Sequence, residues 1–135
     1  MNTETTRVLS AMCPNGRLHL GHYLGVLQNW QQIQYQYNCF FMIADIHGLI
    51  RYNNDNQQPI DKINEMVIDW LAAGVDPSQA IIFIQSKVPE HFELSSLLSV
   101  ITPLGWLERI PSYKEALEEL EHTNSNSYGL LGAPV

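Results

Sequence analysis

Cysteine is scarce, basic residues are scarce and long apolar runs are missing; each shortage excludes a class of protein. Two cysteines in 135 residues, Cys13 and Cys39, are too few for a disulfide framework and set a reduced, cytoplasmic location as the expectation. Lysine and arginine number 7 against 14 acidic residues, a formal net charge of −7. A dedicated nucleic-acid binder carries the opposite balance. The chain therefore reads as a small-molecule site, and an RNA partner would find most of its basic surface elsewhere. No apolar run reaches the length of a membrane span. The polar start Met1-Asn2-Thr3-Glu4-Thr5-Thr6 lacks the pattern of a signal peptide. Internal repeats and low-complexity runs are absent too. What is present is 45 % hydrophobic residues, enough for the core of one domain.

The apolar residues are arranged as alternating strands and helices. Arg7-Val8-Leu9-Ser10-Ala11-Met12 reads as a first strand, ended by the turn at Pro14-Asn15-Gly16. A helix is expected from about Leu20 to Tyr37, with Tyr23, Leu27, Trp30, Ile33 and Tyr37 on one face. Phe40-Phe41-Met42-Ile43-Ala44 is a continuous apolar run, as expected of a strand buried on both faces. The polar stretch Tyr52 to Gln58 reads as a loop, and Pro59 suits a first helical residue. Ile60, Ile63, Val67, Trp70 and Leu71 form the stripe of a second helix, which Gly74 ends. Ala80 to Ile84 is a third buried strand. This order implies an α/β fold with a parallel sheet and right-handed crossovers. Beyond Pro89 the character turns helical, over Phe92 to Ile101 and Pro111 to Glu121. A polar, mobile loop is expected at His122 to Ser127. The chain then stops inside the apolar run Tyr128 to Val135. Domain ends are usually exposed and polar, so an N-terminal fragment of something longer is expected.

Chemistry concentrates after the first strand, in Cys13-Pro14-Asn15-Gly16-Arg17-Leu18-His19-Leu20-Gly21-His22-Tyr23-Leu24-Gly25. A glycine turn opens onto a helix start, where unpaired backbone N–H groups suit an anion. Two imidazoles at that start can donate to phosphate oxygens. Spacing alone leaves three readings open: phosphate contact, ordinary helix-start capping, and a zinc site joining Cys13 to both histidines. The last lacks the paired Cys-x-x-Cys spacing of zinc sites.

His19-Leu20-Gly21-His22, set in Pro14-x-Gly16-x-Leu18, resembles the HIGH motif of class I aminoacyl-tRNA synthetases, and its surroundings resemble the tryptophanyl branch. The likeness continues in order. It runs through Ile43-Ala44-Asp45-Ile46-His47, Ala73-Gly74-Val75-Asp76-Pro77-Ser78-Gln79-Ala80 and Phe83-Ile84-Gln85-Ser86-Lys87-Val88-Pro89-Glu90-His91. It then takes in Leu104-Gly105-Trp106-Leu107-Glu108-Arg109 and Tyr128-Gly129-Leu130-Leu131-Gly132-Ala133-Pro134. The resemblance implies the first half of a Rossmann-like nucleotide-binding domain over residues 1–88. A helical connecting insertion follows over 89–135, in a region that carries the dimer interface of the family.

The activity implied is a tryptophan–tRNA ligase: tryptophan carboxylate attacks the α-phosphorus of ATP, and the adenylate passes its aminoacyl group to tRNA(Trp). ATP with Mg2+, tryptophan, tRNA(Trp) and a second copy of the chain are the implied partners, with no resident metal and no membrane. His19, His22 and Lys114 take the catalytic role on this resemblance. Cys13, Asn15, Gly16, Gly21 and His22 belong to the nucleotide side, with Gly21 leaving room for the adenine ring. Leu9, Asp45 and His47 belong to the amino-acid side. Each has a plainer reading: a turn for Gly16, a cap for Asp45, a loop histidine for His47, a solvated charge for Lys87 and Lys114. Trp30 and Trp70 read as core, and Trp106 as a residue between subunits.

There are departures. Ala133 stands where many members have tyrosine, and Cys13 where a longer polar residue is frequent. The acidic acceptor for the indole N–H, the KMSKS-like lysine loop and the second half of the fold are not in the sequence, so the stretch by itself is expected to be inactive. A tyrosyl enzyme shares the architecture, but the run Leu9 to Pro14 lacks the tyrosine and aspartate pair a buried phenol needs. A non-catalytic nucleotide-binding, tryptophan-binding or dimerisation module is the alternative from another class.

Overall fold

The computed structural model describes residues 6–49, 59–120 and 128–135. Two compact units divide the chain, residues 1–87 and 88–135. In the first unit three strands, β1 (Arg7–Met12), β2 (Asn38–Ile43) and β3 (Ala80–Ile84), form one sheet in that order. Both pairings are parallel, with Ser10 beside Phe41 and Phe41 beside Ile82. β1 and β3 keep the bounds expected from the sequence. β2 begins at Asn38, because pairing with Arg7 draws two further residues into the ladder.

The expected first helix is three pieces in one path. α1 (Leu20–His22) leads into a π-turn (Tyr23–Leu27) and then α2 (Gln28–Ile33). The π-turn takes an extra residue into one turn and re-phases the faces. Leu27, Trp30 and Gln34 are consequently buried, whereas Tyr23 and Tyr37 are exposed. The helix also ends four residues earlier than expected, at Ile33. Its last turn is tied down by Gln34, whose Nε2 donates to the carbonyls of Gln31 and Gly74 and whose Oε1 accepts from the Asp76 N–H.

A short helix α3 (Asp45–Leu49) follows β2, and the loop expected at Tyr52 to Gln58 lies outside the described residues. α4 (Pro59–Ala72) starts at Pro59 as expected. Its buried positions are Lys62, Ile63, Met66 and Trp70; Ile60 and Leu71, expected in the stripe, are exposed. Gly74 ends it with φ +95°. The Val75 N–H reaches the Trp70 carbonyl and the Gly74 N–H the Leu71 carbonyl, a Schellman closure.

The core lies between these helices and one face of the sheet. Trp30 stacks on Phe41, centroids 4.1 Å apart and 2° from parallel, and meets Trp70 edge-on at 4.8 Å. Such pairs contribute about 0.5–1.5 kcal/mol beyond area burial. The Trp30 Nε1 donates to the Ser10 hydroxyl, so this ring also registers the helix on β1. Leu9 and Ile81 point to the opposite face and are more than half exposed.

The second unit is helical: α5 (Glu90–Ile101), α6 (Leu104–Leu107), α7 (Pro111–Leu120) and α8 (Tyr128–Gly132). The expected loop at His122 to Ser127 lies outside the described residues. Leu107 and Leu130 are buried, while no residue of α5 is. Among the described residues no helix is long and apolar enough to cross a membrane.

Candidate functional site

Parallel strands bring their carboxyl ends to one edge of the sheet, the edge where open α/β sheets bind ligands. Here β1 delivers the segment from Cys13 to His22, β2 delivers Asp45 to His47, and β3 delivers a 3-10 turn, Gln85–Lys87. The Ala44 N–H bonds the Met12 carbonyl at 2.9 Å, which continues the β1–β2 contact to this edge.

At the β1 exit, Asn15 is exposed, and its N–H returns to the carbonyl of half-buried Cys13 at 2.9 Å. Gly16 has φ +152° with open space around the position of a Cβ. Its requirement is thus the turn itself, not packing. His19, extended at φ −131°, caps the helix: its Nδ1 accepts the Gly21 N–H at 3.1 Å. His22 answers three residues on, its Nδ1 accepting the His19 N–H at 3.3 Å. This is a capping box made of two imidazoles.

With Nδ1 as acceptor, each neutral ring carries its proton on Nε2. The ring centroids are 4.0 Å apart and tilted by 42°. Capping and phosphate contact are therefore compatible, since one nitrogen serves the backbone and the other keeps an N–H to donate. Partial burial holds the His22 pKa below its ordinary value, and neighbouring His19 lowers it further. A Cβ on Gly21 would lie 2.9 Å from His19 Cε1, so this glycine makes room for the capping imidazole.

At the other two exits the side chains cross over. The Asp45 Oδ1 accepts the Ser86 N–H at 3.0 Å, and the Gln85 Oε1 accepts the His47 N–H at 3.3 Å. Asp45 thus caps the neighbouring turn rather than its own. Gln85 had no assigned task in the sequence reading. The signal was available, since Asp45 and Gln85 both stand directly beside the end of a buried strand. His47 is exposed. Leu9 lies in the middle of β1 on the face away from the helices.

Lys114 belongs to the second unit, exposed on α7, its N–H on the Ile110 carbonyl. Among the described residues no three His, Cys, Asp or Glu side chains group to hold a metal ion, and Cys13 with the two histidines makes no such group.

The chain matches, over residues 1–135, the family described as tRNA synthetases class I (W and Y). It belongs to that family. The sequence is 56 % identical over 129 residues to a tryptophan–tRNA ligase of Ralstonia nicotianae, covering 96 % of this chain and 32 % of that protein. A tryptophanyl-tRNA synthetase structure from Mycoplasma pneumoniae superposes with a TM-score of 0.86 at 32 % identity, covering 96 % of this chain and 38 % of that one. Another, from Campylobacter jejuni and complexed with ADP and tryptophan, gives a TM-score of 0.83 at 32 % identity over 96 % and 39 %. The chain spans about a third of the length of these class I relatives. The Rossmann-like half-sheet expected from the sequence is the fold found.

Proposed function

We propose that this chain is the amino-terminal part of a tryptophan–tRNA ligase and carries half of its adenylate-forming site. The observation that carries the reading is the double imidazole cap at the carboxyl edge of the sheet, in which each Nδ1 accepts a backbone N–H, in a chain 56 % identical to such a ligase.

The chemistry needs little covalent help. When the tryptophan carboxylate attacks the α-phosphorus, negative charge builds on the phosphate oxygens, and fixed donors lower that barrier. His19 and His22 supply them in this reading, and Lys114, in the second unit, keeps the catalytic role that the family resemblance implies. Cys13, Asn15, Gly16 and Gly21 line the nucleotide side; Leu9, Asp45 and His47 line the amino-acid side. Mg2+ arrives on the ATP, because this ion prefers substrate phosphates and water to an all-protein cage. Residues 1–88 form the nucleotide-binding half and 89–135 the start of the connecting insertion. The tRNA(Trp), the cytoplasmic location and a second copy of the chain belong to the same reading. The second copy is supported by α5 and the segment after it, where Leu97, Val100, Ile101 and Trp106 are each exposed.

The test is tryptophan-dependent exchange of pyrophosphate into ATP, with Mg2+, by the polypeptide as its gene encodes it. Exchange is expected, and His22→Ala should lower it by about 100-fold, the scale of one lost transition-state donor. A folded protein without exchange leaves a binding or dimerisation module instead.

A further inference from the structure

The bonds between β2 and β3 do not stop where the ladder stops. The last register pair is Ile43 beside Ile84, after which the backbones part into α3 and the 3-10 turn. Each of these turns has early N–H groups without a carbonyl four residues back. The usual remedy is local, a polar side chain capping its own turn. Here the remedy is reciprocal across 38 to 41 residues: Gln85 on β3's exit caps His47, and Asp45 on β2's exit caps Ser86. Neither turn can shift without breaking a bond made by the other.

We propose that Gln85 is a positioning residue of the amino-acid pocket: by holding the His47 backbone, it sets where the His47 imidazole meets the substrate. This rests on the reading of His47 as a tryptophan-side residue. Gln85 itself touches no substrate; it acts through His47. Both bonds are solvent-accessible, where hydrogen bonds add little net stability because water competes for the same groups. What the clasp supplies is placement, and small misplacements of a binding group weaken binding and catalysis steeply.

The experiment is steady-state pyrophosphate exchange by the gene-encoded polypeptide and two variants. Gln85→Met keeps the length of the side chain and removes the acceptor; Gln85→Glu restores an acceptor oxygen. The expected result is a tryptophan KM raised about tenfold in Gln85→Met, with ATP KM, kcat and thermal midpoint close to the parent. Gln85→Glu should return the tryptophan KM toward the parent value, and amide exchange at His47 should quicken in the Met variant only. An unchanged tryptophan KM in Gln85→Met overturns the proposal while leaving the ligase reading intact. So does a loss shared equally by ATP and tryptophan with a lowered midpoint, which marks a structural residue only. A parent protein with no exchange overturns both, and is recognised before any variant is made.

Discussion

His22 shows how much one side chain is asked to do at this site. Its Nδ1 accepts the His19 N–H while its ring lies against the other imidazole. Protonation would turn that acceptor into a donor and break the cap. Burial, and next the His19 ring, hold the His22 pKa below 6.5. A depressed folded-state value means the folded state binds the proton less readily than the unfolded chain does. The contribution is therefore complete above 6.5 and is lost as the pH falls through the folded value. Acidifying from about pH 7.5 to about pH 5 should loosen the amide of His19, with β2 amides unaffected. His22→Asn keeps an acceptor oxygen and should abolish the pH dependence. A His22 ring that titrates by NMR at 6.5 or above contradicts this account. The sequence made the spacing of the two histidines visible, and left capping and phosphate contact as rivals. Only the geometry shows that one nitrogen of each ring can serve each purpose.

Among the elements, legibility followed how local the determining physics is. β1 and β3 kept their expected bounds because turn residues and short apolar runs mark them from within. The first helix did not. A π-turn has no side-chain signature in Tyr23-Leu24-Gly25-Val26-Leu27, and its extra residue turns Tyr23 outward and Gln34 inward. The clasp at the strand ends was equally hidden, because its partners lie some 40 residues apart. Gly74 is the opposite case: a stop read from sequence that the structure explains twice. Its φ of +95° disfavours any side chain, and a Cβ would lie 2.6 Å from the Gln31 Nε2. The Gln31 amide is flexible and can move aside, so the backbone term dominates. Gly74→Ala should cost roughly 1–2 kcal/mol in chemical denaturation. Gly25 is the control, since its added methyl meets nothing within 4 Å and its backbone is helical. There, alanine should be neutral or stabilising by up to about 1 kcal/mol. Equal losses at both sites would show that φ does not set the cost at Gly74.

For the whole molecule, the question is what covers the apolar surface of the second unit. α5 reads Glu90-His91-Phe92-Glu93-Leu94-Ser95-Ser96-Leu97-Leu98-Ser99-Val100-Ile101, with apolar side chains on more than one side. A helix that is apolar most of the way round is normally buried, yet none of its residues is, and Val100 is 83 % exposed. Trp106 adds a large exposed ring in α6. Exposed apolar side chains in this number mark an interface, because solvent penalises them in proportion to their area. A second copy of the chain is the occupant in the ligase reading, and the interface would be isologous, the same residues on both sides. Leu97→Glu then places two like charges at one desolvated surface. The expected outcome is a shift from dimer to monomer in sedimentation equilibrium, with far-UV circular dichroism unchanged, because Leu97 contributes nothing to the interior of its own unit. A chain that sediments as a monomer before mutation removes the self-association and leaves the patch to another partner. A dimer indifferent to Leu97→Glu and to Val100→Glu places the interface on a different surface altogether.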